Sequence, residues 1–378
     1  MFIQTNASWR PFQRVSHPRE IVRQFTPNWF TLTMGTGILF LMLAQFPLAI
    51  PGLVSLTRVL FWGDGALYLI FALLFAARWI WFTADAKKLL DHPVMSMFLG
   101  AIPMGLAPII NGLVGFYPHS PLAVRAALDL WYGDVALALI IGWLVPFVMF
   151  TRQTHHLTTM TGVWLLPIVP AEVAAVSAGT IAPHLTMASA QAVVMIGYGL
   201  WALSVPLAFG ILAVLFLRLA LHKLPHREMA VSTWLTLGPI GTGSTALIVL
   251  GNAAASAFAG QALEPIFLIA KAIGVIGGLL LWGVGLWWLG MAIMITLRYL
   301  KEGIPFNMGW WGFTFPLGVY TGATNALAAS TGYRAFEIFA AALTILLVFF
   351  WSLVTSRTLH GMWHGHLFAA PCLAKQSA

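Results

Sequence analysis

GWWGFTFPLGVYTGATNA, running from Gly309 to Ala326, decides how this chain folds. The stretch is apolar enough to enter a bilayer, yet Pro316 interrupts it in the middle. Trp310 and Trp311 stand before the break, Phe313 and Phe315 lead into it, and Gly318, Thr321, Gly322 and Asn325 follow. A helix that only anchors a protein has no use for this pattern. Interrupted backbone at membrane depth is tolerated where it faces protein or a water-filled cavity. The stretch therefore reads as the lining of something.

The rest of the chain extends the membrane reading. Of 378 residues, 60% are hydrophobic and 8% charged, against about 25% charged in a soluble domain. Such a chain cannot cover a water-facing surface. Its apolar runs are long and continuous, which excludes the short alternating strands of a β-barrel and points to helices of about 20 residues per crossing. The single cysteine, Cys372, rules out an intramolecular disulfide. The first apolar run begins after Pro27 and is long enough to be a span, so no cleavable signal peptide is expected.

Ten spans are expected, near residues 29–46, 59–82, 94–116, 122–150, 161–181, 187–217, 230–257, 266–297, 309–330 and 335–354. The connections are short, so the chain divides into a basic N-terminal arm (1–24), one membrane domain (25–356) and a C-terminal tail (357–378). With both termini inside, Arg58, Arg125 and Arg334 fall outside and Lys271 within a span. The other basic residues, fifteen of 19, lie on the inner side. This asymmetry sets a cytoplasmic location for both termini in a cell (inner) membrane. The net charge of +8 is then a topology signal, and no nucleic-acid partner is implied.

A repeat underlies the spans. Odd-numbered spans are interrupted at Gly35 and Gly37, Pro103, Pro170, Pro239 and Pro316, with successive breaks from Gly35 separated by 68, 67, 69 and 77 residues. A large apolar residue precedes each: Trp29, Phe98, Trp164, Trp234 and Trp311. Five helix pairs account for this: an inner ring of five kinked helices forming a pore, and an outer ring of five. Loosened helices would present N–H groups near mid-membrane and favour an anion there. The competing reading is that the small residues only permit close helix packing.

FTPNWFTLTMGTG (Phe25 to Gly37), TLGPIGTG (Thr236 to Gly243) and FNMGWWGFTFPLG (Phe306 to Gly318) resemble the tellurite-resistance/dicarboxylate-transporter family. That family includes bacterial tellurite-resistance membrane proteins, fungal malate permeases and sulfite pumps, and plant slow-type anion channels. The resemblance implies ten helices, an inner five-helix pore, a homotrimer with one pore per subunit, and small anions as substrates. It also implies a phenylalanine plug from the ninth helix. Motif matching puts that role on Phe315, with Phe313 as the second position. An aromatic beside a helix break can swing with small backbone changes, and an apolar constriction blocks ions until wetted.

Possible anion contacts are the hydroxyls and amides of the odd helices: Thr33, Thr36, Thr242, Ser244, Asn111, Asn252 and Asn325. Each alone reads rather as a partner for a neighbouring helix, and only together do they give a polar lining without fixed charge. Glu172, just past Pro170, is either a proton-coupling acid or a structural partner of Lys271. Asp64, Asp129 and Asp134 read as interfacial residues at helix starts. His360, His364 and His366 read as a solvated, flexible tail, so no metal site is assigned. No P-loop, nucleophile elbow or zinc-protease motif supports ATP-driven pumping or hydrolysis. The chain is expected to have no catalytic residues and no cofactor. It reads as a carrier or channel for small anions, with the four-carbon dicarboxylate malate first. Sulfite or tellurite-type oxyanion efflux and passive chloride or nitrate conduction are the alternatives, and a membrane sensor or scaffold is the alternative of a different class.

Overall fold

The computed structural model describes residues 17–373, which form helices and turns without a strand. In chain order the α-helices are α1 (Pro18–Arg23), α2 (Phe30–Ala44), α3 (Leu53–Trp81), α4 (Thr83–Asp91), α5 (Ala101–Phe116) and α6 (Pro121–Thr151). They continue as α7 (Pro170–Ile181), α8 (Met187–His222), α9 (Leu237–Ala257), α10 (Glu264–Leu300), α11 (Phe315–Thr331) and α12 (Arg334–His364). Eight segments among the described residues are long and apolar enough to cross a membrane. The helices α7 and α11, of 12 and 17 residues, fall outside that set; 3₁₀ turns flank α7 on both sides and precede α11.

The helices sort into two layers. α2 packs on α5, α5 on α7, α7 on α9, α9 on α11, and α11 returns to α2, closing a ring of five. The long helices α3, α6, α8, α10 and α12 lie outside, each over a seam between two neighbours of that ring. Burial follows the layers. The most apolar windows of the segments containing α2, α5 and α9 are 72%, 83% and 78% buried, against 17–33% for the five outer helices. The outer helices expose Ile80, Phe150, Leu280 and Ile345, a surface suited to lipid.

Each inner helix begins the same way. A 3₁₀ segment comes first, at Pro27–Trp29, Met97–Gly100, Gly162–Leu165, Arg227–Thr236 and Met308–Phe313, and the α-helix follows at or shortly after its end. Trp29, Phe98, Trp164, Trp234 and Trp311 all lie in these 3₁₀ segments. The prolines fall differently from the expected mid-helix kinks. Pro170 is the first residue of α7 and Pro316 the second of α11, and Pro103 and Pro239 are the third residues of α5 and α9. A missing N–H costs little in a first helical turn.

Gly35 and Gly37 are not a break. α2 runs through both. A Cβ at Gly35 would overlap Thr314 and Trp311, and one at Gly37 would lie 2.5 Å from Pro108 Cβ. They permit close approach of helices, as small residues do in membranes.

Indole N–H groups tie the layers together. Trp131 of α6 donates to Ala174 O (2.8 Å), Trp201 of α8 to Gly243 O (3.0 Å) and Trp282 of α10 to Thr324 Oγ1 (2.9 Å). Trp234 and Trp311 reach the opposite way, to Thr296 of α10 and Thr358 of α12 (2.8 and 3.2 Å). With no water in a bilayer core to satisfy them, such donors must find partners within the protein.

Two carboxylates depart from the helix-start reading. Asp64 and Asp134 are 2% and 0% exposed, well inside α3 and α6, and their oxygens have no hydrogen-bond partner among the described residues. Asp129 is exposed and pairs with Arg125 at 2.8 Å. Two further differences concern the ends. α4 is an amphipathic helix that no apolar run announces. Its Asp85 takes Arg23 of α1 at 2.7 Å and Lys88 at 2.8 Å, and those hydrogen bonds, Lys88's first, hold its carboxyl below 3.8. α12 continues past Arg357 through His364, so His360 and His364 lie in a helix and not in a flexible tail. Arg10, Arg14 and Lys375 fall outside the described residues.

Candidate functional site

Two cavities lie along the axis of the inner ring. The first, of about 260 Å³, is lined mainly by the 3₁₀ segments and their approaches, including Asn28, Thr31, Phe98, Ser232, Asn307 and Trp311. The second, of about 430 Å³, is lined by α-helical residues from all five inner helices, among them Met42, Asn111, Val176, Thr242 and Asn325. They are called the inner and outer cavities, after the positive-inside orientation. One residue is common to both linings: Phe315. Its side chain is 4% exposed.

The neighbours of Phe315 are fixed by close approach. Gly318 one turn on would overlap Ile38 of α2 if it had a Cβ, and a Cβ at Gly241 of α9 would lie 2.6 Å from Tyr320 N. Phe313 is placed otherwise. Its ring stacks on Phe350 of α12 at 4.6 Å and 8°, with Trp234 and Trp310 against it edge-on at 5.4 and 5.9 Å. It lines neither cavity. The second plug position therefore belongs to the packing between the layers.

The polar residues named from sequence separate in the same way. Thr33 donates to Phe30 O (2.9 Å), Thr36 accepts from Trp351 of α12 (3.0 Å) and Ser244 donates to Gly278 O of α10 (2.8 Å). None of the three lines a cavity, and Asn252 is exposed on α9. Asn111, Asn325 and Thr242 do line the outer cavity, joined by Gln45, which the sequence pattern did not single out. Thr31 is the hydroxyl of α2 that reaches the inner cavity.

The junction N–H groups are occupied. Those of Phe30, Ala101 and Leu237 bond back into their 3₁₀ segments, and Thr314 N–H bonds Trp311 O. The 3₁₀ start thus removes the free backbone donors expected of loosened helices. Neither cavity is lined by Lys or Arg, and Glu228 at the inner end is the sole lining carboxylate. The donors left to meet an anion in the outer cavity are side-chain amides.

Glu172 is completely buried in α7, and Thr242 Oγ1 lies 2.6 Å from its Oε1. The same hydroxyl is 2.7 Å from Gly238 O. Thr242 places Glu172 directly behind the wall of the outer cavity. Lys271 is exposed near the start of α10 and forms no ion pair with Glu172, so the structural pairing with Lys271 does not occur.

The family described as voltage-dependent anion channel matches residues 24–359. The chain belongs to this family. It is the family that WWGFTFP and NWFTLTMGTG resemble, and the match takes in the inner ring, the outer ring up to residue 359 and every cavity-lining residue but Pro371. Among curated members of the wider group, the sulfite efflux pump of Trichophyton rubrum is 37% identical over 346 residues, 90% of this chain and 91% of the pump. An uncharacterized transporter of Methanocaldococcus jannaschii is 31% identical over 349 residues, 92% of this chain and 97% of that protein. The malic acid transport protein of Schizosaccharomyces pombe is 24% identical over 348 residues, 88% of this chain and 77% of its own length. Membership of the anion-channel family accounts for a ring with a hollow axis, which a family of membrane anchors would not need.

Proposed function

We propose that this protein carries small anions across a membrane through the inner ring, with Phe315 closing the path between the two cavities. The observation that carries the reading is that Phe315 alone belongs to both linings. An apolar ring at a neck excludes ions by dewetting and admits them when it moves aside.

A sulfite-class oxyanion is the first substrate and malate the second. Three relatives named as sulfite efflux pumps are 36–37% identical, against 24% for the malic acid transport protein. The linings point the same way: dicarboxylates are commonly held by arginine forks, and neither cavity offers one. The amides of Asn111 and Asn325 contact the anion in the outer cavity. Glu172 takes part through a proton. Thr242 has one hydroxyl hydrogen, and when that hydrogen serves Gly238 O, the contact with Glu172 needs a hydrogen from the acid.

α7 and α11, with their 3₁₀ extensions, complete ten crossings arranged as five helical hairpins. Both termini face the cytoplasm, flanking the pore domain of residues 25–356, and three copies assemble as a homotrimer. The protein works without enzymatic chemistry.

The test is purified protein in liposomes loaded in turn with sulfite, malate and chloride, under imposed pH and voltage gradients. Sulfite flux above that of empty liposomes is expected. Absence of flux for all three anions would overturn the transport reading in favour of a sensor or scaffold.

A further inference from the structure

The segment after α12 folds back under the ring. Phe368 stacks on Trp29, the tryptophan of the first 3₁₀ segment, at 5.1 Å and 21°. Ala370 N–H donates to Gln24 Oε1 at 2.8 Å. Pro371 then lines the inner cavity, the one residue beyond α12 to do so. Cys372 Sγ accepts from Arg78 Nη2 at 3.4 Å.

Arg78 is the fixed point of this arrangement. It is fully buried at the inner end of α3 and meets no carboxylate. Its Nη1 donates to Phe25 O at 2.6 Å and its Nη2 also to Asp85 O at 3.3 Å, while Nε has no partner. The guanidinium thus gathers the entry to α2, the start of α4 and the C-terminal segment at one point. Three separate ties, each made to a different part of the inner face, hold the five residues from Phe368 to Cys372 in place.

We infer that this C-terminal segment is a strap across the inner cavity, held by Arg78, Gln24 and Trp29, and that releasing it raises anion flux. The inference rests on the transport reading. The strap meets the wall of the conduit only at Pro371, and its remaining ties run sideways to the rim. That arrangement suits a cover that lifts as a unit. It also puts the strap and Phe315 at opposite ends of one cavity, so the two act in series.

Cys372 is the sole cysteine of the chain and is half-buried, so a thiol reagent acts at one place. The full chain in liposomes is treated with a membrane-impermeant maleimide, to whose double bond the Cys372 thiol adds to give a thioether that sulfite does not cleave, and excess reagent is removed before flux is measured. Sulfite flux should rise about tenfold, the shift expected when a hydrogen bond to a charged group is lost. Cys372→Ser should not respond to the reagent, and Gln24→Leu should raise flux without it, with thermal unfolding confirming that both variants fold. Complete labelling with flux unchanged or reduced would overturn the strap and leave transport standing. Absence of flux before and after labelling would overturn both.

Discussion

The inner and outer cavities are made from the same five chain segments, yet they differ in backbone, lining and closure. The inner one is walled largely by 3₁₀ turns and covered at its rim by a segment from the far end of the chain. The outer one is walled by regular α-helix and lined by amides and hydroxyls. Tight 3₁₀ turns consume backbone donors locally, whereas the α-helical wall leaves its side chains to supply polarity. In the proposed reading, the polar contacts lie on one side of Phe315 and the C-terminal strap on the other.

The largest expected effect comes from removing the partition. Phe315→Ala should raise anion flux tenfold or more, corresponding to lowering a barrier by about 1.4 kcal/mol. Phe313→Ala, two residues away, should leave flux near wild type and instead destabilise the protein by about 3 kcal/mol through its lost core packing. Flux assays and thermal unfolding on the pair distinguish these outcomes. Equal flux gains in both would erase the distinction between the two phenylalanines.

The outer lining is sharpened next. Asn111→Leu and Asn325→Leu should each raise the half-saturating sulfite concentration by about tenfold, the loss of one hydrogen bond to a charged group. Thr36→Val, at a hydroxyl that serves Trp351, should leave that concentration unchanged. Glu172→Gln keeps a partner for Thr242 but cannot release a proton. It should abolish the response of flux to an imposed pH gradient at unchanged voltage response, and a retained pH response would remove Glu172 from coupling.

The smallest effect concerns the inner rim. Lys88 and Arg23 hold the Asp85 carboxyl below its ordinary 3.8, so its contribution to stability is complete above that pH. It is lost as pH falls through the lowered folded-state value. The pairs are partly exposed, so Asp85→Asn should cost about 1 kcal/mol or less at neutral pH. Thermal unfolding across pH should show the gap between wild type and variant closing only in acid.

Much of the layered architecture was legible because lipid leaves a chain few options. Long apolar runs became outer helices, interrupted runs became inner ones, and the four tryptophans and one phenylalanine before the breaks all landed in 3₁₀ segments. The breaks themselves were misplaced. Proline was read as a kink, where most of these prolines start a helix, and Gly35 and Gly37 were read as a break, where they admit Thr314 and Pro108. Motif matching put Phe315 ahead of Phe313, but residue chemistry alone does not separate two apolar aromatics so near one proline, and the facing helices do. Threonines on inner helices looked alike too, yet Trp351 and Gly278 claim Thr36 and Ser244. The strap was illegible because its ties join residues more than 290 positions apart in the chain.

The central claim is that Phe315 alone divides the conduit, and thiol access measures this directly. In a Cys372→Ser background, Thr31→Cys and Asn325→Cys place a single thiol in the inner or the outer cavity. A membrane-impermeant reagent applied from the inner side should label Thr31→Cys whether or not Phe315 is present. It should label Asn325→Cys only when Phe315→Ala is added. Labelling of Asn325→Cys from that side with Phe315 intact would contradict the account.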